Sequence, residues 1–350
     1  MTEVKASPRD VEARMHPVDP AWLGKTVEPV IEPDLPIVDP HHHLWDFRNY
    51  PYLLEGILAD VGSGHNVRAT VFIECSAMWT RAGDVPDPMR PVGEVAFVNG
   101  IAAMSASGRY GDVRVAAGIV GHADLMLGSA VQDVLAAQVR AGNGRFRGIR
   151  YSISHDDAPE IHNSHTGGAP DAFRQSAFRD GYRTLGRMGL SFEAWMYHPQ
   201  LRELAALVEA CPDTAVVLNH CGGPLGIGPY AGKRDAVFRD WKAGIEAVAK
   251  AGPAHVKLGG IGMTINGFDF QTRAAPASST ELADHWRPYI DACIEAFGPE
   301  RCMFESNFPV DKISGSYRTY WNAFKRLASG ASAAEKAAMF HDVAKRFYKL

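Results

Sequence analysis

The stretch Ile37-Val-Asp-Pro-His-His-His-Leu-Trp-Asp46 holds the densest set of reactive side chains in the chain. Side chains alternate along a strand, so His41 and His43 face one way and His42 the other. Two imidazoles on one face can chelate a divalent ion or hold an anionic substrate oxygen. Their place inside an apolar strand pattern argues against a tag remnant. A third imidazole, His220, closes the run Val217-Leu-Asn-His220 and precedes Cys221-Gly-Gly223, where glycine lets the backbone turn sharply.

Further candidates cluster at the ends of apolar runs. Arg147 and Arg150 share one run, and their odd separation puts them on opposite faces. Arg150, nearer the C-terminal end, is the one expected to face inward, where a guanidinium can clamp a substrate carboxylate through two nitrogens. Glu193 is a carboxylate in an apolar run, costly unless paired or inward. His198 precedes Pro199, which suits a first helical turn, so it reads as a substrate contact or as part of that turn. His155, Asp156, His162 and His165 follow in a polar loop. Glu305 and Asn307 share strand parity, with Glu305 one layer deeper; Asp311 follows and should rise above the mouth.

These residues need a scaffold that brings strand ends together. Eight short apolar runs qualify as strands: 35–39, 67–75, 113–120, 146–153, 190–197, 214–219, 255–258 and 301–305. Helical stretches separate most of them, at 93–107, 125–141, 172–188, 201–211 and 286–297, and two more close the chain at 317–327 and 333–348. The connection 47–66 is the least regular. Such alternation predicts one (β/α)8 TIM barrel, an α/β fold with its reactive residues at the C-terminal mouth. An open doubly wound sheet would carry a Gly-rich turn after strand one, where this chain has Asp-Pro-His-His-His. Residues 1–35, interrupted by five prolines, are expected to form an irregular arm that covers the barrel or meets a second copy, and 36–350 the barrel.

Composition narrows the partners. The 350 residues carry a net charge of −4 without runs of Lys or Arg, which points away from nucleic acid and anionic membranes. No apolar stretch approaches the ~18 residues of a membrane span, and the start lacks the pattern of a secretory signal, so a cytoplasmic protein acting on a small molecule is expected, with a homodimer open. The five cysteines form no CxxC pair and are expected to be free thiols.

Asp39-Pro-His41-His-His43-Leu-Trp-Asp46 resembles the opening of the amidohydrolase-2 branch of the amidohydrolase superfamily. That branch includes 2-pyrone-4,6-dicarboxylate lactonase, sugar-lactone hydrolases and, more distantly, aminocarboxymuconate semialdehyde decarboxylases. The resemblance continues through Arg147-Gly-Ile-Arg150, Tyr197-His-Pro-Gln-Leu201, Val217-Leu-Asn-His220-Cys-Gly-Gly223 and Met303-Phe-Glu-Ser-Asn307-Phe-Pro-Val-Asp311. It implies His41, His43 and His220 as catalytic groups that would also ligate a metal if one is bound. The cofactor is then either none or one divalent ion, zinc foremost. Arg150, His198 and Trp45 become substrate contacts.

One departure matters. Many relatives read Ser-Asp-Trp-Pro where this chain reads Ser306-Asn-Phe-Pro309. A neutral amide cannot take a proton at pH 7 and is a weak metal ligand. The base is then Glu305, Asp311 or a histidine. The expected activity is hydrolysis of a lactone or related cyclic ester, of a carboxylated small molecule in catabolism. The alternatives are a metal-dependent non-oxidative decarboxylase, for which Trp45, Trp79, Trp195 and Phe308 could line an aromatic-acid pocket, and a barrel that has lost hydrolysis.

Overall fold

A computed structural model describes residues 11–350, Ala13 and His16 excepted. The expectation of an irregular arm over 1–10 lies outside the described residues. Eight parallel strands form one sheet in chain order: β1 (Pro36–His42), β4 (Asn66–Ile73), β5 (Arg114–Gly121), β6 (Phe146–Ser152), β7 (Ser191–Trp195), β8 (Val216–Leu218), β9 (His255–Leu258) and β10 (Cys302–Phe304). They are the eight expected strands, with helices between them, in a nearly closed (β/α)8 barrel. The irregular first connection holds a hairpin, β2 (Trp45–Phe47) with β3 (Tyr50–Tyr52), and a helix, Leu54–Val61.

The helix Arg234–Ala251 was not among those expected. Its buried stripe, Val237, Trp241, Gly244, Ile245 and Val248, is interrupted by enough charge to blur the pattern. The closing stretch 333–348 is not one continuous α-helix, because a π-helical segment, Ala338–Asp342, interrupts it. Ala338, Val343, Ala344 and Tyr348 pack with Val38, Val71, Val217 and Met303 of the strands, so this segment plugs the floor of the barrel. All five cysteines are buried and free. No helix among the described residues is long and apolar enough to cross a membrane.

The arm is pinned along the barrel's side. Trp22 Nε1 donates to Arg273 O at 2.8 Å, Thr26 Oγ1 to Pro276 O at 2.7 Å, and Asn322 Nδ2 to Pro29 O at 2.9 Å.

The seam between β10 and β1 is unusual. The chain just past β10 meets the end of β1, where Asn307 N donates to His41 O at 2.9 Å and His43 N to Phe308 O at 2.8 Å. Beneath these bonds the buried Asp39 carboxylate accepts from Ser306 N (3.0 Å), Ser306 Oγ (2.6 Å), Tyr317 OH (3.0 Å) and His41 N (3.3 Å). Burial pushes its pKa up to about 6 against those donors. Asp39→Ala should cost roughly 3–5 kcal/mol, since it strands several buried donors, and Tyr317→Phe only about 1 kcal/mol. Denaturant midpoints at unchanged slope measure both, and equal losses would show that Asp39 does not organise the seam.

Candidate active site

His41 and His43 come from the end of β1 and just beyond it. His41 Nε2 lies 3.3 Å from His43 Nε2, which lies 3.3 Å from Asn307 Oδ1. His43 Nδ1 donates to Ile73 O at 2.8 Å, which leaves Nε2 as its free lone pair. His42 turns the other way, to Thr70 Oγ1 at 2.9 Å and the edge of Phe72. Burial, joined by the nearby charge of Lys257, holds His41 well below the usual imidazole pKa; burial and Arg150 do the same for His43.

His220 sits in a strained turn after β8. His220, Cys221, Gly222 and Gly223 all have left-handed φ, from 48° to 70°. Glu305 holds that turn, accepting His220 N at 3.0 Å and lying 2.8 Å from His220 Nδ1 through the same oxygen. The second oxygen, Oε2, lies 2.7 Å from His41 Nδ1 but off the N–H direction, so this buried oxygen has no aligned donor. The two imidazoles that share Glu305 have ring centroids 4.5 Å apart. Burial lowers the His220 pKa, and Glu305 opposes that shift.

Charge pairs surround this core. Lys257 Nζ donates to Glu193 Oε2 (2.7 Å) and Pro40 O (2.8 Å), and lies 3.3 Å from His41 Nδ1. Glu193 also accepts from Asn219 Nδ2 (2.8 Å) and Tyr348 OH (2.6 Å), so the inward carboxylate of β7 is fully paired on the floor. Arg150 does face inward, while Arg147 turns out to Gly144 O. Yet Arg150 Nε donates to Glu74 Oε1 at 2.8 Å and Nη2 to Glu74 O, leaving Nη1 at 3.5 Å from His41 Nε2. The expected two-nitrogen clamp on a substrate is therefore already filled by Glu74. Burial alone would raise the Glu74 pKa, but His165 and Arg150 outweigh it and hold it well below the carboxylate range.

Asp311 does not rise above the mouth. The chain enters a tight 3-10 turn, Val310–Ser314, that folds it back under Asn307. There Asp311 Oδ1 accepts Asn307 Nδ2 at 2.8 Å and Oδ2 accepts Gly262 N at 3.0 Å. Burial pushes its pKa up to about 8. Asn307 has φ 56°, a conformation asparagine tolerates. His198 is likewise absent from the cavity wall: it opens the turn His198–Gln200, accepts Leu225 N at 3.4 Å and meets the edge of Tyr230.

The cavity at the C-terminal mouth is lined by His43, Trp45, Arg150, Trp195, His220 and Asn307, among others. His41 and Glu305 lie behind this wall. Trp45 is fixed by its Nε1 bond to Tyr50 O at 2.7 Å. Sequence reasoning passed over Glu74, although it ends the apolar run Val71-Phe-Ile73 as conspicuously as Glu193 sits in its own.

The donor set suits a divalent cation. The ligand atoms of His41, His220 and Glu305 lie within 4.8 Å of one another, two neutral nitrogens and a carboxylate, a combination zinc accepts. Glu305 replaces His43 in this group, because His43 aims its free nitrogen at His41 and Asn307. Glu74 and Glu193 already have cationic partners, so the Glu305 charge and its undonated Oε2 remain for an ion.

With this geometry in hand, relatives can be compared. The Amidohydrolase family profile (Amidohydro_2) matches residues 38–350, and the chain belongs to that family. A protein of Sinorhizobium fredii described as uncharacterized protein y4mH is 33% identical, over 91% of this chain and 99% of its own. An L-fucono-1,5-lactonase of Burkholderia multivorans is 26% identical, over 89% and 96%. A crystal structure of a Burkholderia multivorans amidohydrolase with bound zinc is 23% identical, with a TM-score of 0.66 over 90% of this chain and 99% of its own, a likeness of fold.

Gly260 tests the placement of His220. Its φ is 64°, and a Cβ there would lie 2.0 Å from His220 Nδ1. Gly260→Ala should leave a folded barrel but break the His220–Glu305 contact. The imidazole NMR shifts of His220 should move, and any turnover should fall at least ~100-fold, the scale of a misplaced catalytic group. Unchanged shifts would place His220 elsewhere.

Proposed function

We infer that the protein is a hydrolase that opens a lactone or related cyclic ester of a small molecule. The observation that carries this reading is the contact, at 2.8 Å, between His220 on the cavity wall and Glu305 behind it. Glu305 takes the Nδ1 proton side of the imidazole, so Nε2 is the nitrogen left for the cavity. Held neutral at pH 7 by burial, that nitrogen can accept a proton from water as the water attacks the carbonyl carbon. The imidazolium so formed is stabilised by the Glu305 carboxylate. The oxyanion of the tetrahedral intermediate accepts from Arg150 Nη1, a buried cation beside the cavity. Collapse breaks the ring C–O bond, His220 returns its proton to the leaving oxygen, and the product is a hydroxy acid.

This division of labour answers the Asn307 substitution. Glu305 acts through His220, and Asp311 fixes the amide of Asn307 against His43. The lactonase-named relative supports ring opening as the reaction.

A second reading follows from the undonated Oε2. A divalent ion held by His41, His220 and Glu305 would supply polarisation of the carbonyl and a more acidic water. Holding an ion and shuttling a proton through His220 exclude each other, and metal analysis of active protein separates them.

The test is a lactone screen. Glu305→Gln should lower turnover on an accepted lactone at least ~100-fold. The acidic limb of kcat/KM should fall below the ordinary imidazole value of about 6.5, because a lowered His220 pKa keeps the base form to lower pH. Near-normal turnover by Glu305→Gln, or carbon dioxide release from an aromatic acid without lactone opening, would overturn the reading.

A further inference from the structure

Above the inner cavity a wider chamber opens, and the arm forms part of both walls. Arg14 and Met15 line the inner cavity beside His43 and His220, and also the outer chamber beside His162, Tyr197 and Met263. The arm is held on either side of Arg14. Val11 packs into the main core, Glu12 Oε1 accepts Arg48 N at 2.9 Å, and Trp22 and Thr26 bond to the 273–276 loop.

The charges at the mouth are unevenly committed. Arg150 spends its Nε and Nη2 on Glu74, and His165 spends Nε2 on the same carboxylate at 3.1 Å. Arg14 has no ion pair or hydrogen bond among the described residues. No carboxylate lines the outer chamber among the described residues, and Arg14 is the one lysine or arginine there. The rest of the wall holds two histidines, His162 and His165, of which His165 is turned to Glu74, and Trp195, Tyr197, Met263, Ile265 and Val310 give it an apolar character. A guanidinium with no carboxylate partner among the described residues, set against such a wall, is a ready partner for an anion, because its fork of donors matches a carboxylate and the apolar wall strengthens the pairing.

We propose that Arg14, carried by the N-terminal arm, anchors the substrate's anionic group, and that the substrate is a carboxylated lactone whose carboxylate lies in the outer chamber, away from the scissile bond. This rests on the hydrolase reading above. It moves carboxylate recognition from Arg150 to the arm and makes Arg14 a specificity-determining residue.

The experiment uses the full chain and a matched pair of γ-lactones, one bearing a ring carboxylate and the other the corresponding carboxamide. The wild type should favour the acid. Arg14→Gln should lower the acid-to-amide ratio of kcat/KM about 10–100-fold, mostly through KM, with Arg14→Lys retaining part of the preference. An unchanged ratio in Arg14→Gln would overturn the proposal. If neither lactone is opened, the hydrolase reading fails instead, and calorimetry with glutarate as the anionic probe decides on Arg14. An affinity at least tenfold weaker in Arg14→Gln supports the anchor, and equal affinity removes it.

Discussion

The barrel closes where its chemistry sits. Past its regular span, the chain leaving β10 bonds to the end of β1, through Asn307 N to His41 O and His43 N to Phe308 O. The closing bonds and the reactive side chains therefore belong to the same residues. Asp39 lies under this junction and ties Ser306, Tyr317 and His41 together, so the separation of His41, His43 and Asn307 is set by the closure of the sheet itself. Small displacements of catalytic groups are expensive, and a junction shared with the fold's own seam limits them.

Charge is the second organising constraint. Besides Asp39 and Asp311, the carboxylates Glu74, Glu193 and Glu305 are buried among the strands with two cations, Arg150 and Lys257. Glu74 takes Arg150 and Glu193 takes Lys257, so each costly charge meets a partner. Glu305 is left to the two imidazoles. Its position behind the wall turns its two oxygens to His220 and His41 instead of to the cavity.

Much of this was legible in the residues. Strand parity separates His41 and His43 from His42, and Arg150 from Arg147, because a two-residue repeat survives any detail of packing. The eight strands could be read because each is a short apolar run between polar loops. What escaped depended on tertiary partners. Asp311 was expected above the mouth because linear distance from the strand was taken as height, whereas a 3-10 turn reverses the chain there. Of the two readings of His198, substrate contact or part of the turn before Pro199, the structure places it in the turn. The clamp expected of Arg150 failed for a reason no single motif carries: its partner, Glu74, comes from another strand. The helix Arg234–Ala251 was missed because its charged positions dilute a stripe that only packing against its neighbours makes evident.

The floor of the barrel has a consequence for synthesis on the ribosome. Glu193 and Lys257 are both made well before Tyr348, whose hydroxyl reaches Glu193 at 2.6 Å and whose ring lies 5.6 Å from the Lys257 ammonium. While Tyr348 is still unmade, a nascent barrel would leave its lower opening unplugged and this ion pair open to water from below. Until the segment Ala338 to Tyr348 has docked, the buried Glu193–Lys257 pair beneath His41 lacks the hydroxyl and ring that cover it.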